Sequence, residues 1–287
     1  MSEKVWTVAS IISVTTDFLA KKDPTCPRLE AELLLSEIMG LDRVKLYVNF
    51  ERELTDKEVA AYRELVKRRA AHEPVAYILG RKEFYRLPLL VTKDTLIPRP
   101  ETEHLVDEAV RLAKEFADET VEAADIGCGS GAIAVALAKT LPKARVKAVE
   151  LSAPALEVAK INAQKHGVSD QIEFFLGNLL EPLGEARFHL ICANLPYVPD
   201  ADLETLAPDV AAFEPKTALA GGPDGLSLVG PLIAAAPGRL LPGGRLVLEI
   251  WPDSFAKATN LAKEAGLTPL EPILDYSAKN RVLVAGI

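Results

Sequence analysis

Apolar residues recur along the first part of this chain at the spacing of amphipathic helices. Such spacing puts the apolar side chains of each helix on one face, which must be buried against another element. Thr55 followed by Glu58 is a capping-box pattern that predicts the start of one helix, and Pro74 predicts its end. We therefore expect a small helical N-terminal domain over residues 1–74.

From residue 121 onward, short apolar runs alternate with stretches of helical periodicity. The predicted strands are Val121–Cys128, Arg145–Leu151, Ile172–Asn178, Phe188–Asn194, Arg245–Trp251, Leu267–Leu274 and Arg281–Ile287. The predicted helices are Ala132–Leu141, Ala153–His166, Leu226–Ala236 and Ser254–Ala265. Alternation of this kind predicts a mostly parallel sheet with helices on both faces, and two final strands without a helix between them predict an antiparallel last strand. The expected fold class is α/β and Rossmann-like, with seven strands.

The segment between these two parts has a third pattern. Val75–Gly80 and Phe84–Val91 look extended, and they predict a β-hairpin linker over residues 75–98. The remaining residues, 99–287, form the predicted larger domain.

Composition limits the classes of partner. The 287 residues are 49% hydrophobic and 26% charged, which is typical of a protein with a buried core. No segment approaches the roughly 20 apolar residues that a membrane helix needs, so no membrane partner is expected. The net charge of −8 is uneven: residues 1–98 hold 16 Lys and Arg against 15 Asp and Glu, and residues 99–287 hold 17 against 26. An acidic second domain argues against a direct nucleic-acid substrate, which usually requires a basic surface.

Cysteines and histidines are scattered along the chain. Cys26, Cys128 and Cys192 have no metal-ligand spacing, so no metal site is expected. Free thiols are typical of a reducing compartment, and a cytoplasmic location is expected.

A glycine-rich segment follows the first predicted strand and precedes a helix. We call residues 125–131 the glycine turn, and its candidate ligand-binding residues are Asp125, Gly127, Cys128, Gly129, Ser130 and Gly131. Glycines there permit a tight turn and a close approach of a ligand to the helix N-terminus. Their spacing, Gly-x-Gly-x-Gly, differs from the Gly-x-Gly-x-x-Gly of dinucleotide sites.

Polar residues end the next three predicted strands, at Glu150, Asn178 and Asn194. Because the carboxyl ends of parallel strands meet at one edge of a sheet, these side chains are expected to converge near the glycine turn. A carboxylate at Glu150 suits the two hydroxyls of a ribose, and an amide at Asn178 suits an adenine edge; Leu151 and Leu179 follow them directly. No basic residue accompanies the glycine turn, so a pyrophosphate is not expected. S-adenosyl-L-methionine fits this description.

Residues 194–197 read Asn-Leu-Pro-Tyr, and we call them the tetrapeptide turn. Taken alone, they are also typical of an ordinary strand followed by a turn. The Asn194 side-chain oxygen and the Pro196 carbonyl oxygen suit the two N–H bonds of a flat NH2 group, and the Tyr197 ring suits its face. Asn194, Pro196 and Tyr197 are therefore the predicted catalytic residues, and together with Leu195 they form the predicted substrate-binding set.

Several longer segments resemble the release-factor glutamine methyltransferase family (PrmC/HemK type). They are Pro74–Gly80, Glu83–Phe84, Ile97–Glu103, Asp125–Gly131, Asn194–Tyr197, Phe213–Pro215, Ala218–Leu226 and Pro242–Ile250. The resemblance implies a helical domain for docking a partner or substrate, followed by a class I methyltransferase domain that uses S-adenosyl-L-methionine and releases S-adenosyl-L-homocysteine. It also implies methylation of the glutamine side-chain amide in the Gly-Gly-Gln motif of peptide-chain release factors. A monomer is expected.

The sequence departs from the family pattern at two positions. Leu195 stands where the family usually has proline, and Asn178 stands where it commonly has aspartate. Four residues after the predicted linker, Arg99, Glu101, Thr102 and Glu103, are expected to support the donor pocket or to form a structural ion-pair network beneath the linker.

Two alternatives remain open at this point. The same tetrapeptide would suit an adenine amino-group methyltransferase acting on DNA or RNA, with the target base flipped out of its stack. A non-catalytic adaptor that binds S-adenosyl-L-methionine is the other reading, with Leu195 and Asn178 as signs of decay.

Overall fold

The computed structural model describes residues 5–22, 26–116 and 120–287. The chain divides into two compact units: unit 1 comprises residues 1–80 and 208–213, and unit 2 comprises residues 81–207 and 214–287.

The elements are numbered in chain order. The helices are α1 (Val8–Ala20), α2 (Pro27–Met39), α3 (Arg43–Val48), α4 (Asp56–Ala70), α5 (Val75–Leu79), α6 (Pro100–Ala113), α7 (Ala132–Thr140), α8 (Ala153–Lys165), α9 (Pro208–Phe213), α10 (Val229–Ala235) and α11 (Phe255–Glu264). The strands are β1 (Arg81–Phe84), β2 (Leu87–Leu90), β3 (Glu122–Ile126), β4 (Arg145–Glu150), β5 (Ile172–Leu176), β6 (Phe188–Ala193), β7 (Leu240–Glu249), β8 (Thr268–Pro269), β9 (Ile273–Leu274) and β10 (Asn280–Gly286). No helix within the described ranges has the length and apolar character needed to cross a membrane.

Unit 1 is a helical bundle built as the apolar spacing predicts. Helix α4 begins with the predicted capping box, in which the Thr55 hydroxyl accepts from the Glu58 backbone N–H and the Glu58 carboxylate accepts from that of Thr55. The apolar faces of α1, α2 and α4 meet around Tyr62, which is fully buried and donates to the Ala31 carbonyl.

The prediction of an extended segment at residues 75–80 is wrong. Val75–Leu79 is a single helical turn that Gly80 ends in the left-handed conformation, with φ of 68°. The hairpin lies later, where β1 pairs with β2 in antiparallel register. A run of five apolar residues has no clear period, so a helical turn and a strand cannot be distinguished from the sequence. The domain boundaries at residues 74 and 98 stay a prediction.

Unit 2 is a Rossmann-like α/β domain. Its sheet has the strand order β5-β4-β3-β6-β7-β10-β8, with β9 also pairing with β10. Strands β3 to β7 pair in parallel, and β10 runs antiparallel to β7, which confirms the predicted antiparallel last strand. Two apolar clusters, one on each face of the sheet, form the core.

One predicted strand is divided in the structure. The segment Leu267–Leu274 forms two short strands, β8 and β9, and both pair with β10. Pro269 and Pro272 explain the interruption, because proline has no N–H to donate to a neighbouring strand. Strand β7 also begins earlier than predicted, at Leu240 instead of Arg245.

Candidate active site

Unit 2 contains a cavity of about 380 Å³ at the carboxyl ends of its parallel strands. Its volume is typical of small-molecule sites, and its position is the one expected for a ligand of an open parallel sheet. The lining residues are Asp94, Leu96, Pro98, Thr102, Ile126–Ser130, Ala132, Ile133, Val149–Ser152, Ala155, Gly177–Leu179, Asn194–Pro196, Pro215, Thr217, Ala218 and Leu228.

The glycine turn bends tightly, as its composition predicts. Gly127, Gly129 and Gly131 have φ of 74°, 55° and 79°, values that L-residues with side chains rarely adopt. A Cβ added at Gly129 would meet no heavy atom within 4 Å, so this part of the turn is open to a ligand. Gly131 does not line the cavity; a Cβ there would lie 3.1 Å from the Cβ of Ala159, so this glycine permits close packing against α8.

Of the two ionisable residues in the glycine turn, Cys128 lines the cavity and Asp125 does not. Asp125 is fully buried and does not line the cavity; one carboxylate oxygen accepts from the Ala134 backbone N–H at 2.9 Å, which ties the turn to α7. Burial raises the pKa of Asp125 to about 7. Cys128 does line the cavity, but burial raises its thiol pKa well above the ordinary value, so the thiol stays protonated.

Glu150 lines the cavity at the end of β4, beside the glycine turn. One carboxylate oxygen accepts from the Gly129 backbone N–H at 2.8 Å, and the other accepts from that of Ser152 at 2.9 Å. Each oxygen offers about two acceptor sites, so both retain capacity for a further hydrogen bond. The neighbouring Leu151 is 66% exposed and adds an apolar surface to the cavity wall.

Asn178 and Leu179 lie beyond the end of β5 and line the same cavity. The Asn178 amide nitrogen donates to Glu181 at 3.2 Å, which leaves its oxygen available as an acceptor. Leu179 has a positive φ of 46°, an uncommon conformation for a branched residue.

In the tetrapeptide turn, Asn194, Leu195 and Pro196 line the cavity and Tyr197 does not. The Asn194 amide nitrogen donates to the Thr102 hydroxyl at 2.9 Å. Leu195 is buried, and its Cδ2 lies 2.8 Å from where a Cβ of Gly127 would be, so Leu195 packs directly on the glycine turn. The Tyr197 hydroxyl donates to Glu249 at 2.8 Å.

Of the four predicted supporting residues, only Thr102 reaches the cavity. Arg99 pairs with Glu214, and the second carboxylate oxygen of Glu214 accepts from the Ile97 backbone N–H at 3.1 Å. Glu103 accepts from the Tyr85 backbone N–H at 2.8 Å and so ties the hairpin to α6. Glu101 is half-buried and does not line the cavity.

Glu249 received no role from the sequence. It is 1% exposed at the end of β7 and joins Thr102 to Tyr197, accepting from the Thr102 hydroxyl at 2.7 Å. Its signal in the sequence is a lone carboxylate in the apolar run Leu246–Ile250. Buried carboxylates are rare unless they are paired, so such a residue marks a candidate for function.

Gly221 and Gly225 were also given no role individually. A Cβ at Gly221 would lie 2.7 Å from the Tyr197 backbone, and a Cβ at Gly225 would lie 2.2 Å from the Tyr197 carbonyl oxygen. The Gly221 N–H donates to the Val198 carbonyl at 2.8 Å. This glycine pair therefore holds the backbone that follows the tetrapeptide turn.

The cavity residues fit S-adenosyl-L-methionine. The glycine turn has an open face at Gly129, Glu150 keeps acceptor capacity for ribose hydroxyls, and Asn178 presents an oxygen for an adenine amino group. Apolar side chains make up much of the remaining wall. Among the residues that the structure covers, no group of three His, Cys, Asp or Glu side chains is arranged to hold a metal ion.

Two protein-family descriptions match this chain. Residues 10–80 match "PrmC N-terminal domain", and residues 103–210 match "Methyltransferase small domain". Among solved structures, the hMettl16 catalytic domain in complex with an RNA hairpin covers 78% of this chain and is itself covered over 82%, with a TM-score of 0.58 and 17% identity. A methyltransferase from Pyrococcus furiosus covers 70% of this chain and is covered over 90%, with a TM-score of 0.50 and 17% identity. These structures share the class I methyltransferase fold.

Curated relatives extend over nearly the whole chain. A release factor glutamine methyltransferase of Geobacter sulfurreducens is 50% identical over 252 residues, which are 87% of this chain and 87% of the relative. A protein of the same name from Rhodopirellula baltica is 39% identical over 97% of this chain and 95% of its own length. The protein is an S-adenosyl-L-methionine-dependent methyltransferase, and it belongs to the release factor glutamine methyltransferase family.

Proposed function

We propose that this enzyme methylates the side-chain amide nitrogen of the glutamine in the Gly-Gly-Gln motif of peptide-chain release factors. The relatives described above are named for a release factor and for glutamine. We further propose that it acts in the cytoplasm as a monomer.

The observation on which the proposal mainly rests is the orientation of the Asn194 amide. Its nitrogen is engaged by Thr102, so the remaining hydrogen-bonding atom of this cavity-lining side chain is an acceptor oxygen. Pro196 lines the cavity two residues later, and its backbone offers a carbonyl oxygen and no N–H. Two acceptors on one turn suit a neutral NH2 group, which has two donors and no available acceptor on nitrogen.

The donor side of the proposal uses the cavity residues at the ends of β3, β4 and β5. When bound, S-adenosyl-L-methionine supplies an electrophilic methyl carbon on a positively charged sulfur. Glu150 would hold the ribose hydroxyls, and the Asn178 oxygen would accept from the adenine amino group. Gly129 leaves room for the ligand beside the backbone, and Leu151 and Leu179 would cover its apolar faces.

Orientation and exclusion of water supply most of the proposed rate enhancement. Asn194 and Pro196 draw electron density toward the glutamine nitrogen by accepting its N–H bonds, and they direct its lone pair into the cavity. Tyr197 supports the turn from behind through its bond to Glu249. We assign no general base, because the amide proton becomes acidic as nitrogen is alkylated and can pass to water.

Methyl transfer from isotopically labelled S-adenosyl-L-methionine tests the proposal against an adenine substrate. Purified release factor, the same factor with its Gly-Gly-Gln glutamine changed to alanine, and bulk DNA and RNA are incubated separately with the enzyme. We expect label only in the unchanged factor. Label in nucleic acid, or equal label in the two factors, would overturn the proposal.

A further inference from the structure

A continuous series of hydrogen bonds leads from two cavity-lining residues, Asn194 and Thr102, to Glu249 and Tyr197, which do not line the cavity. The Asn194 amide donates to the Thr102 hydroxyl at 2.9 Å, and that hydroxyl donates to one oxygen of Glu249 at 2.7 Å. The other Glu249 oxygen accepts from the Tyr197 hydroxyl at 2.8 Å. Thr102 and Glu249 are 4% and 1% exposed, so water does not compete for these bonds.

The donor and acceptor roles along this series of hydrogen bonds are fixed by Glu249 when its carboxylate is ionised. An ionised carboxylate only accepts hydrogen bonds, so Thr102 and Tyr197 each give their single hydroxyl proton to Glu249. The Thr102 oxygen can then only accept, and the group of Asn194 that faces it must be the NH2. The carbonyl oxygen of Asn194 is consequently left as the free acceptor of this side chain. Without the carboxylate, either orientation of this amide would be permitted.

The fold brings these residues together from three elements. Asn194 and Glu249 directly follow the register pair Ala193 and Leu248 on the neighbouring parallel strands β6 and β7. Thr102 lies in the first turn of α6. Asn194 and Tyr197, two residues of the tetrapeptide turn, are therefore both held by one carboxylate that does not line the cavity.

Stability alone does not explain a carboxylate at this position. Burial raises the pKa of Glu249 above its ordinary value, and the hydrogen bonds from Thr102 and Tyr197 oppose that shift by favouring the ionised form. Buried ionic groups are costly to desolvate, and replacing them together with their partners by well-packed apolar residues of similar volume is often neutral or stabilising. A role in orientation accounts for the charge, because only a carboxylate accepts from both hydroxyls.

We propose that Glu249 is a positioning residue that acts through Thr102 and Tyr197 to hold the Asn194 oxygen toward the methyl acceptor. The inference rests on the proposed function, in which Asn194 accepts from the substrate amide. A glutamine at position 249 would have one acceptor and one donor. Its NH2 group would then either reverse the Thr102 hydroxyl, and with it the Asn194 amide, or leave the Tyr197 proton without its partner.

The test compares Glu249→Gln with the matched control Glu108→Gln. Glu108 is another buried carboxylate of unit 2, but it pairs with Arg111 and does not line the cavity. For Glu249→Gln we expect kcat for the release factor to fall about 10- to 100-fold, with smaller changes in KM and in the dissociation constant of the donor. Both variants should remain folded at the assay temperature, which circular dichroism checks, so that unfolding does not account for the lost turnover. The control should keep the normal kcat.

Thr102 provides a second pair of variants. Thr102→Val keeps the shape but removes the hydroxyl, and we expect a loss of kcat similar to that of Glu249→Gln. Thr102→Ser restores the hydroxyl and should recover most of that loss. Equal activity of Thr102→Val and Thr102→Ser would overturn the inference, as would a loss of activity in Glu249→Gln that merely follows a lower melting temperature.

A spectroscopic measurement separates this inference from the substrate assignment. The side-chain NH2 signals of Asn194 can be identified by their absence in Asn194→Ala, and they require no substrate. We expect these signals to shift and to exchange faster with water in Glu249→Gln than in the Glu108→Gln control. Unchanged signals would overturn the inference even if the release factor is methylated. Changed signals would support the orienting role even if the substrate proves to be different.

Discussion

The glycine turn and the tetrapeptide turn border the same cavity, but they are held by different means. The glycine turn obtains its shape mainly from its own backbone, in which three glycines adopt positive φ, and its side-chain partners lie within about 25 residues. The tetrapeptide turn is held by side chains that are distant in sequence, since Thr102 lies 92 positions from Asn194 and Glu249 lies 52 positions from Tyr197. In this protein the turn proposed to bind the cofactor is formed largely by local backbone geometry, whereas the orientation of the Asn194 acceptor depends on a network of distant side chains.

The largest expected effect concerns Asn194. Asn194→Ala removes the oriented acceptor, and we expect kcat to fall by about 10²- to 10³-fold, as for the loss of a preorganised hydrogen-bonding group elsewhere. The dissociation constant of the donor should change by less than about threefold, which is under 1 kcal/mol. Steady-state kinetics and calorimetry measure the two quantities. Near-normal turnover would show that the tetrapeptide turn does not direct the reaction through this side chain.

A substitution at Glu150 tests the role of the glycine turn in binding the donor. Glu150→Ala removes the proposed ribose acceptor and the contact with the Gly129 backbone N–H, so donor binding should weaken by roughly 30- to 100-fold, or about 2–3 kcal/mol. At saturating donor, kcat should fall much less than in Asn194→Ala. Calorimetric titration with S-adenosyl-L-homocysteine measures the affinity without turnover. A variant with unchanged affinity but reduced kcat would reverse the roles that we assign to the two turns.

A substitution at Gly225 tests whether close packing on the Tyr197 backbone supports the tetrapeptide turn. A Cβ at Gly225 would lie 2.2 Å from the Tyr197 carbonyl oxygen, and its φ of 73° is unfavourable for alanine. We expect Gly225→Ala to lower the free energy of unfolding by about 2 kcal/mol and to reduce kcat. Gly238→Ala is the matched control, because a Cβ there would meet nothing within 4 Å. Equal free energies of unfolding for the two variants in denaturant would contradict the proposal that Gly225 holds the backbone after the tetrapeptide turn.

Asp125 gives the smallest predicted effect and concerns the glycine turn. Its folded-state pKa of about 7 lies above the ordinary value of 3.8, so the folded protein holds this proton more tightly than the unfolded chain. The contribution of protonated Asp125 to the free energy of unfolding is therefore complete at low pH, and it is lost as the pH rises through the folded-state pKa of about 7. Between about pH 5.5 and about pH 7.5 we expect this residue to lower the free energy of unfolding by about 1–2 kcal/mol.

Asp125→Asn isolates that contribution. The variant should show a smaller decrease in the free energy of unfolding over the same pH range, measured by urea denaturation at each pH. An identical pH dependence in the two proteins would mean that Asp125 does not titrate in this range.

Much of the fold could be predicted from the sequence because its signals are local. The alternation of strands and helices after residue 121 indicated the parallel sheet, and the Thr55 capping box indicated the start of α4. The error at Val75–Leu79 arose where five apolar residues have no distinguishable period. The strand predicted at Leu267–Leu274 is divided because Pro269 and Pro272 have no N–H to donate to a neighbouring strand.

The site residues also differ in whether a local sequence signal indicates them. The glycine turn and Glu150 were visible because spacing within about 25 residues places them together. Glu249, Glu214, Gly221 and Gly225 act through partners that only the folded chain brings near, so their roles could not be read from local pattern. All four lie in segments that resemble the methyltransferase family, and Glu249 also interrupts an apolar strand, but neither signal identifies the partners of these residues. A single ionisable residue within an apolar strand is therefore a sequence signal for a buried functional group.

Tandem mass spectrometry of the release factor, after incubation with enzyme and S-adenosyl-L-methionine, tests the central claim most directly. The wild-type enzyme should add the mass of one methyl group to the side chain of the Gly-Gly-Gln glutamine, and the Asn194→Ala enzyme should leave that residue almost unmodified in the same time. A methyl group on another residue, or equal modification by the two enzymes, would contradict the account.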